Sequence, residues 1–362
     1  MSRSDVVNFS AGPAALPAVV LERAREELLD YRGTGASILE QSHRAPPYDE
    51  IHHDARARLA RLLSLPDSHT VLFLQGGAST LFATVPLNFL YPNKSADYVL
   101  TGVWSEKALS EALLVGEARI AATGHDGHRW VSCPLVVDAD PQAAYVHMTT
   151  NNTIIGAQFH RIPDVGGVPL VADMSSDLLS RPLDMGRFHL AYAGAQKNLG
   201  PSGVTVVIAR ADWLEAARED IPKILRFQTH ADAQSLYHTP PTFAVYLLRY
   251  VLEWIEAEGG AEGMERRNRE KQARLYGAID AHPALYSTHV ERDARSWMNV
   301  VFHLPNEALE ERFLAGAEER GLHGLRGHRT FKGVRASLYN AIELAQVDRL
   351  VEWMNDFGRI AA

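Results

Sequence analysis

The stretch HLAYAGAQKNLGPSGVTVVIA, residues 189–209, contains two short apolar runs joined by a turn rich in glycine and proline. The pattern predicts two strands buried on both faces, with Lys197 just beyond the end of the first. Small residues, namely Ala193, Gly194 and Ala195, leave room beside this lysine. A lysine that is desolvated at a strand end has a lowered pKa and is a suitable amine nucleophile. Taken alone, the segment favours the simpler interpretation, a solvated lysine in a surface loop.

Around this segment, apolar runs of strand length alternate with stretches of helical periodicity. Strands are predicted at residues 71–74, 98–101, 145–148, 170–172, 204–209, 298–304 and 334–338. Helices are predicted at residues 17–32, 49–63, 79–89, 104–115, 212–218, 242–258, 261–281, 306–320 and 346–357. This alternation predicts an α/β fold whose mostly parallel sheet is covered on both faces. Gly259-Gly260 predicts a boundary, so we expect an N-terminal arm (1–16), a large domain (17–258) and a smaller α+β domain (259–362).

The composition excludes several classes of protein. The chain has 362 residues, with 36 Lys and Arg against 44 Asp and Glu; the net charge of −8 and pI near 6.1 argue against a nucleic-acid-binding protein. The single cysteine, Cys133, forms neither an intrachain disulfide nor a multi-cysteine metal site. No apolar run reaches the ~18 residues of a membrane-spanning helix, and the start lacks the apolar core of a signal peptide. We therefore expect a cytoplasmic protein with no membrane partner.

Several familiar ligand-binding motifs are missing from the sequence. There is no G-x-G-x-x-G after a strand, no G-x-x-x-x-G-K-[ST] phosphate loop and no H-E-x-x-H zinc motif. His52 and His53 are adjacent, but adjacent helical side chains diverge by about 100° and do not converge on one metal ion. We therefore predict no metal site and expect these histidines on a solvated helix face.

Three further segments place polar or aromatic groups at strand ends. Asp173 follows the run 170–172; it is suited to face the ring nitrogen of pyridoxal phosphate, although such an aspartate also caps helices. The turn Gly76-Gly77 opens a helix and either offers N–H groups to a phosphate or simply joins a strand to a helix. Trp104 follows another strand and either stacks on a flat ring or packs in the core. Together with Lys197, these groups supply the parts of one pyridoxal-phosphate site.

Longer motifs then identify a family. They are NFSAGPA at 8–14, QGGAS at 75–79, VADMSS at 171–176, AQKNLGP at 195–201, TPPTF at 239–243, RSWMNV at 295–300, GHR at 327–329 and RASLYNA at 335–341. With these motifs the chain resembles, nearly end to end, the class V pyridoxal-phosphate-dependent aminotransferases, and its His-Arg and C-terminal segments resemble their phosphoserine branch. The resemblance implies an aspartate-aminotransferase-like fold of type I, pyridoxal 5′-phosphate as the cofactor and a homodimer with shared active sites.

The resemblance also implies roles for matching residues. Lys197 forms the Schiff base and moves the proton between substrate Cα and cofactor, Asp173 pairs with the pyridine nitrogen, and Trp104 stacks on the ring. Thr153 hydrogen-bonds the phenolic oxygen. The cofactor phosphate is expected to contact Ala78, Ser79 and Gln196, with His238 and Thr239 from the facing subunit. His238 departs from the asparagine usual in the family, which puts that one contact in question.

The substrate-binding residues are predicted from the charges of the substrates together with the resemblance. Phosphoserine carries a carboxylate and a phosphate dianion, and glutamate carries two carboxylates, so the site must bind an anion at each end. The candidates are Arg335 for the α-carboxylate, His43-Arg44 and His328-Arg329 for the phosphate or distal carboxylate, and Ser10 by resemblance. The implied reaction is reversible amino transfer from glutamate to 3-phosphohydroxypyruvate, giving phosphoserine and 2-oxoglutarate in serine biosynthesis.

Other functions stay open at this point. A cysteine desulfurase needs a reactive cysteine in its C-terminal part, whereas Cys133 lies far from that region. A class V transaminase for a non-phosphorylated 2-oxo acid would not need the second cationic cluster. A non-catalytic binding protein with this fold would not need Lys197 or Asp173. A second substrate, the 3-hydroxy-4-phosphooxy acid of pyridoxine biosynthesis, is neither required nor excluded by the sequence.

Overall fold

The protein is described over residues 5–361 in a computed structural model. Its helices are α1 (Ala18–Glu27), α2 (Pro46–Leu62), α3 (Gly77–Phe89), α4 (Val103–Val115), α5 (Ala211–Glu215), α6 (Phe227–Asp232), α7 (Thr242–Ala257), α8 (Gly260–Ala281), α9 (Glu307–Glu319) and α10 (Leu344–Ala361). Its strands are β1 (Val7–Asn8), β2 (His69–Leu74), β3 (Ser95–Leu100), β4 (Glu117–Thr123), β5 (Val146–Thr149), β6 (Asn151–Asn152), β7 (Ala157–Gln158), β8 (Leu170–Asp173), β9 (Leu190–Gly194), β10 (Thr205–Arg210), β11 (Asn299–Phe302), β12 (Leu322–His323) and β13 (Val334–Ser337). None of the helices in this range is long and apolar enough to cross a membrane.

The main sheet has seven strands in the order β2-β10-β9-β8-β5-β3-β4. All neighbouring pairs from β9 to β4 are parallel, whereas β10 runs antiparallel to both β2 and β9. The predicted α/β class with a mostly parallel sheet is confirmed. Because six of the strands point the same way, the segments that follow their last residues lie along one edge of the sheet.

Alternate residues of each strand pack against opposite layers of helices. In β2, Val71 and Phe73 belong to one apolar cluster, and Leu72 and Leu74 belong to another. The first cluster includes residues of α2 and α7, and the second includes residues of α3 and α4. Each large apolar side chain buried in this way contributes about 1.5–3 kcal/mol to folding. Burial on both faces explains why these strands are apolar throughout.

A separate apolar cluster forms in the C-terminal part of the chain. It combines residues of α8, α9 and α10 with the antiparallel pair β11–β13. The N-terminal segment joins it, because β1 pairs with β12 and contributes Val7, followed by Phe9. Only Glu258 and Gly259 separate α7 from α8, and Gly259 has a φ of 93°, which favours glycine. The division into three domains stays a prediction, and residues 1–4 of the expected arm lie outside the described range.

The structure corrects the sequence analysis at residues 17–32, at β4 and at His52. The helix expected over residues 17–32 ends at Glu27, because the chain turns there and buries Tyr31. The edge strand β4 was not predicted, since its partly exposed residues lack a clear apolar pattern. His52 is buried rather than solvated, and its Nε2 lies 2.8 Å from the Gln234 carbonyl oxygen. Burial lowers the pKa of His52 to about 4, so this ring is neutral and donates to that carbonyl.

Candidate active site

The candidate site lies at the carboxyl edge of the main sheet. Trp104 follows β3, Thr153 follows β5, Asp173 is the last residue of β8, and Lys197 follows β9. These strands are mutually parallel, so all four residues come from the same edge. The fold therefore brings together residues that are distant in the sequence and that were predicted to share one site.

Lys197 is half-buried between a hydroxyl group and an aromatic ring. Its Nζ lies 2.7 Å from Thr153 Oγ1 and 5.2 Å from the centroid of the Trp104 ring. Burial lowers the pKa of the Lys197 amine to about 8; the Asp173 carboxylate opposes this shift, and the Arg335 charge adds to it. A lysine with this pKa is partly neutral at physiological pH, and the neutral amine is the nucleophile.

Asp173 presents a buried carboxylate beside this lysine. The residue is 5% exposed, and its Oδ1 accepts hydrogen bonds from the Ser175 N–H at 2.9 Å and the Ser175 hydroxyl at 2.6 Å. Burial raises the pKa of the Asp173 carboxyl, while the Lys197 charge and the two Ser175 hydrogen bonds oppose the rise. Ser175 therefore orients the carboxylate through one oxygen, and the other oxygen is suited to meet a cationic group.

The turn between β2 and α3 needs glycine at two positions. Gly76 and Gly77 have φ angles of 100° and 72°, which side chains disfavour. A Cβ on Gly76 would also lie 2.1 Å from Thr80 Oγ1, whose hydroxyl donates to the Gly76 carbonyl at 3.0 Å. The N–H groups of Ala78 and Ser79 belong to the first turn of α3, where the helix offers them no carbonyl partner. This turn can bind an anion such as phosphate.

Four basic residues belong to one group beside the site: Lys107, Arg329 and Arg335 act on the charge of His328, and Arg335 also acts on that of Lys197. Lys107 Nζ lies 4.8 Å from the centroid of the Trp104 ring. Burial lowers the pKa of His328, and the charges of Arg335, Lys107 and Arg329 lower it further. Burial also lowers the pKa of Arg335, whose buried Nε has no hydrogen-bond partner among residues 5–361. Such a cluster is suited to bind an anionic ligand.

Among residues 5–361, the Lys197 amine forms no hydrogen bond with the side chains of four predicted site residues, Ser10, His43, Arg44 and Gln196. Arg44 is exposed, whereas His43 Nε2 is buried and finds no partner in the described chain. Ser10 is half-buried. The Gln196 amide lies so near Gly194 that a Cβ there would be 2.7 Å from its Oε1, so this side chain folds back over the end of β9.

His238 and Thr239 lie beside the start of α3 of their own chain. Gln75 Nε2 donates to the Thr239 carbonyl at 3.1 Å. His238 lines a cavity of about 200 Å³ together with Gln75 and Thr80, and its buried Nδ1 has no partner among the residues described. The expected contact of both residues with a cofactor phosphate across a dimer stays a prediction.

Two residues near the site, Lys107 and Tyr339, received no role from the sequence. Lys107 lies three positions after Trp104 on α4, a spacing that places both side chains on one helix face and could have pointed to it. Tyr339 donates its hydroxyl hydrogen to the Ala11 carbonyl oxygen at 2.8 Å. No local pattern could have indicated this second contact, because it connects segments far apart in the sequence.

Pyridoxal-phosphate enzymes need an amine that can lose its proton and an anionic group for the pyridine nitrogen. Lys197 and Asp173 meet these two needs, so the fold and the site are of the kind found in that class of enzyme. The family model for aminotransferase class V matches residues 6–350. The chain belongs to the class V aminotransferase family, which confirms the predicted family, fold class and enzyme class.

Within this family, the chain is similar to several individual phosphoserine aminotransferases. The chain is 53% identical, over 97% of its length and 98% of the relative, to a phosphoserine aminotransferase from Geobacillus kaustophilus. The solved phosphoserine aminotransferase from Bacillus circulans subsp. alkalophilus is 49% identical, with a TM-score of 0.96 over 98% of this chain and 99% of that one. The PLP-bound phosphoserine aminotransferase from Trichomonas vaginalis is 37% identical, with a TM-score of 0.92 over 97% and 99% of the two chains.

Proposed function

We propose that this chain is a pyridoxal-phosphate-dependent transaminase for phosphoserine. It transfers the amino group of glutamate to 3-phosphohydroxypyruvate, giving phosphoserine and 2-oxoglutarate, and it also catalyses the reverse reaction. The observation that carries this conclusion is Lys197, an amine with a pKa near 8 held between Thr153 and Trp104. The relative that is 53% identical over nearly the whole chain supports the substrate. We assign the reaction to cytoplasmic serine biosynthesis.

The residues at the sheet edge fit this cofactor. When bound, pyridoxal phosphate supplies an aldehyde carbon for an amine and a ring that withdraws electrons from the substrate. Lys197 Nζ would hold the cofactor through that carbon and, once released as a free amine, would take up the proton that the substrate Cα loses. Asp173 favours a protonated ring nitrogen, because its buried negative charge stabilises a nearby cation. Trp104 would support the ring, and the N–H groups of Ala78 and Ser79 in the first turn of α3 would hold the phosphate.

The cationic cluster fits a substrate with an anion at each end. Arg335 is half-buried, and its unpartnered Nε is suited to a carboxylate, which guanidinium groups bind through paired hydrogen bonds. Arg335 and Arg329 lie close enough to His328 for their charges to lower its pKa, and His328 and Arg329 bind the phosphate or the distal carboxylate. Ser10 contacts the substrate from the N-terminal arm.

The second subunit of a homodimer completes the site. We place His43 and Arg44 against the substrate, and His238 and Thr239 against the cofactor phosphate, from the facing subunit. His43 Nε2 and His238 Nδ1 support this assignment, because both are buried without a partner in the described chain and remain available to a group from outside it. Gln196 adds a phosphate contact from the same subunit as the lysine.

The domain division follows the apolar clusters. We retain an arm (1–16), a large domain (17–258) and a small domain (259–362). The separate C-terminal cluster supports the boundary at residue 259, and the β1–β12 pair ties the arm to the small domain. The active site then lies between the two domains, because Lys197 belongs to the large domain and Arg335 to the small one.

Half-reaction rates on purified protein test the substrate assignment. We expect phosphoserine and glutamate to change the absorbance of the bound cofactor rapidly, and alanine to do so much more slowly, because only a doubly anionic substrate uses both ends of the cationic cluster. Arg335→Ala is expected to slow both preferred substrates, since both carry an α-carboxylate. A preference of the unmodified protein for alanine would contradict the assignment.

Mixed dimers test whether the two subunits share their sites. Lys197→Ala and Arg44→Ala subunits are each expected to form nearly inactive homodimers. If Arg44 serves the facing subunit, unfolding and refolding the two together restores one intact site per mixed dimer, or about a quarter of normal activity from random pairing. If Arg44 serves its own chain, no mixed dimer contains an intact site, and activity does not return.

A further inference from the structure

The side chain of Asn198 connects the turn that carries Lys197 to two other segments. Asn198 follows Lys197 directly and is 5% exposed. Its Nδ2 donates to the Leu178 carbonyl oxygen at 2.7 Å, and its Oδ1 accepts from the backbone N–H of Asn340 at 2.9 Å. A carbonyl can only accept and a backbone N–H can only donate, so these two partners fix the orientation of the amide. Leu178 lies in the segment that follows Asp173.

Asn340 strengthens this connection with its own side chain. The residue is 1% exposed, its Nδ2 donates to the Leu179 carbonyl oxygen at 2.9 Å, and its Oδ1 accepts from Asn268 Nδ2 of α8 at 2.9 Å. Asn268 Nδ2 also donates to the Ser180 carbonyl oxygen at 2.9 Å. Residues 178–180 therefore each offer their carbonyl oxygen to a buried asparagine. Buried hydrogen bonds of this kind hold the segments they join in one relative position.

The segment that ends at Asn340 also carries Arg335. Arg335 belongs to β13, which pairs with β11 along all four of its residues. Beyond β13, the buried Lys271 of α8 donates from its Nζ to the Leu338 and Tyr339 carbonyl oxygens, both at 2.8 Å. The chain from Arg335 to Asn340 is therefore anchored along its whole length, and a displacement of Asn340 is passed on to Arg335.

We propose that Asn198 is a positioning residue that sets the separation between the Lys197 amine and the Arg335 guanidinium. It acts through the backbone, because it follows Lys197 in the chain and binds the N–H of Asn340. An amino acid bound at this site has its amino group on the side of the lysine and its α-carboxylate at the arginine. Both groups of the substrate are placed correctly only when this separation is correct. The inference rests on the proposed function, which supplies the carboxylate that Arg335 binds.

Two measurements on the cofactor-loaded Asn198→Ala variant separate positioning from damage to the arginine site. The first is kcat/KM for the half-reactions with glutamate and phosphoserine, followed by cofactor absorbance. It is expected to fall about tenfold, the scale of one lost buried hydrogen bond. The second is the calorimetric Kd for glutarate, which has both carboxylates of glutamate and no amino group. Glutarate does not depend on the distance from Arg335 to Lys197, so its Kd should change less than about twofold.

A matched control shows that the effect is not a general loss of stability. Asn88 in α3 is also a buried asparagine whose amide bonds to backbone groups at both of its ends. Asn88→Ala is expected to lower the melting temperature as Asn198→Ala does, but to leave kcat/KM for both amino acids unchanged. A difference in kcat/KM between two variants of similar stability therefore reports on position.

A double-mutant cycle tests whether Asn198 acts on the distance to Arg335. In an Arg335→Ala background the guanidinium is already absent, so adding Asn198→Ala should lower kcat/KM little further. Equal falls in both backgrounds, no fall from Asn198→Ala alone, or an equal weakening of glutarate binding would overturn the proposal. If the alanine variant does not fold, Asn198→Ser retains a shorter polar group and should lower kcat/KM about threefold. An unmodified protein whose cofactor absorbance responds to neither amino acid would instead refute the proposed function.

Discussion

Asp173→Asn removes the negative charge beside the lysine and leaves the side-chain shape almost unchanged. The asparagine Oδ1 can still accept both Ser175 hydrogen bonds, which measure 2.9 and 2.6 Å in the structure. The local turn should therefore persist. What disappears is the charge that would hold a proton on the cofactor ring and that raises the pKa of Lys197.

The expected loss of activity is large. Breaking a buried charged pair by removing one partner costs about 3–5 kcal/mol, which corresponds to a rate lower by roughly two to four orders of magnitude. Because Asp173 opposes the lowering of the Lys197 pKa, the variant should also show a lower Lys197 pKa than the unmodified protein. Steady-state transamination and the pH dependence of cofactor absorbance measure these two effects.

The same substitution should stabilise the protein when no cofactor is bound. Burial raises the pKa of Asp173, so the folded chain holds this proton more tightly than the unfolded chain. The stability that the protonated Asp173 carboxyl contributes is complete below the ordinary carboxyl pKa. It is lost as the pH rises through the pKa of Asp173 in the folded chain. Above that pH the ionised carboxyl destabilises the fold, whereas an asparagine does not.

Thermal unfolding of the cofactor-free protein from about pH 4 to about pH 8 checks this sign. Asp173→Asn should raise the melting temperature near neutral pH, and its advantage should shrink toward low pH. Asp348→Asn, at an exposed carboxylate paired with Arg274, is the control and should change little. Retained activity in Asp173→Asn, or a melting temperature below that of the unmodified protein at neutral pH, would refute the reasoning.

Three further outcomes are expected. Arg335→Ala should raise KM for phosphoserine and glutamate about 10- to 100-fold, because a charge-assisted hydrogen bond is lost. Arg274→Ala, at an exposed ion pair, is the control and should leave KM unchanged. Equal effects of the two substitutions would contradict the assignment of Arg335. The rate of cofactor incorporation should rise with pH and level off above about 8, as Lys197 becomes neutral, and a flat profile would oppose this. Gly76→Ala should lower both melting temperature and cofactor affinity, because its Cβ would meet Thr80 Oγ1 at 2.1 Å and its φ is 100°; unchanged affinity would show that the turn does not bind the phosphate.

The sequence predicts the sheet and its active edge because both depend on local patterns. Fully apolar runs such as 190–194 belong to strands buried on both faces, and parallel strands end at one edge. The common edge of parallel strands is sufficient to predict that Lys197 and Asp173 lie near each other. The helix expected over 17–32 stops early for a reason that is not local, since Glu27 accepts hydrogen bonds from tyrosines of α7 and the following residues fold back.

Local sequence patterns do not predict contacts between segments that are distant in the chain. The sequence alone predicts that His52 lies on a solvated helix face. In the structure α2 turns this side chain toward the core, where Nε2 donates to a backbone carbonyl oxygen. The contact of Thr153 with Lys197 and that of Tyr339 with Ala11 likewise join residues far apart in the sequence. Only the folded chain shows which of many buried hydroxyl groups meets the lysine.

Reductive trapping of the cofactor tests most directly whether Lys197 is the residue that binds it. Borohydride treatment of the loaded protein, followed by proteolysis and mass spectrometry, locates the lysine that carries the reduced cofactor. We predict the label on the peptide that contains Lys197 and a complete loss of label in Lys197→Ala. Lys271 is the critical comparison, because it is a buried lysine whose pKa is also lowered, but its Nζ donates to the Leu338 and Tyr339 carbonyls. Label on Lys271 or Lys107, or no label on any lysine, would contradict the assignment of Lys197.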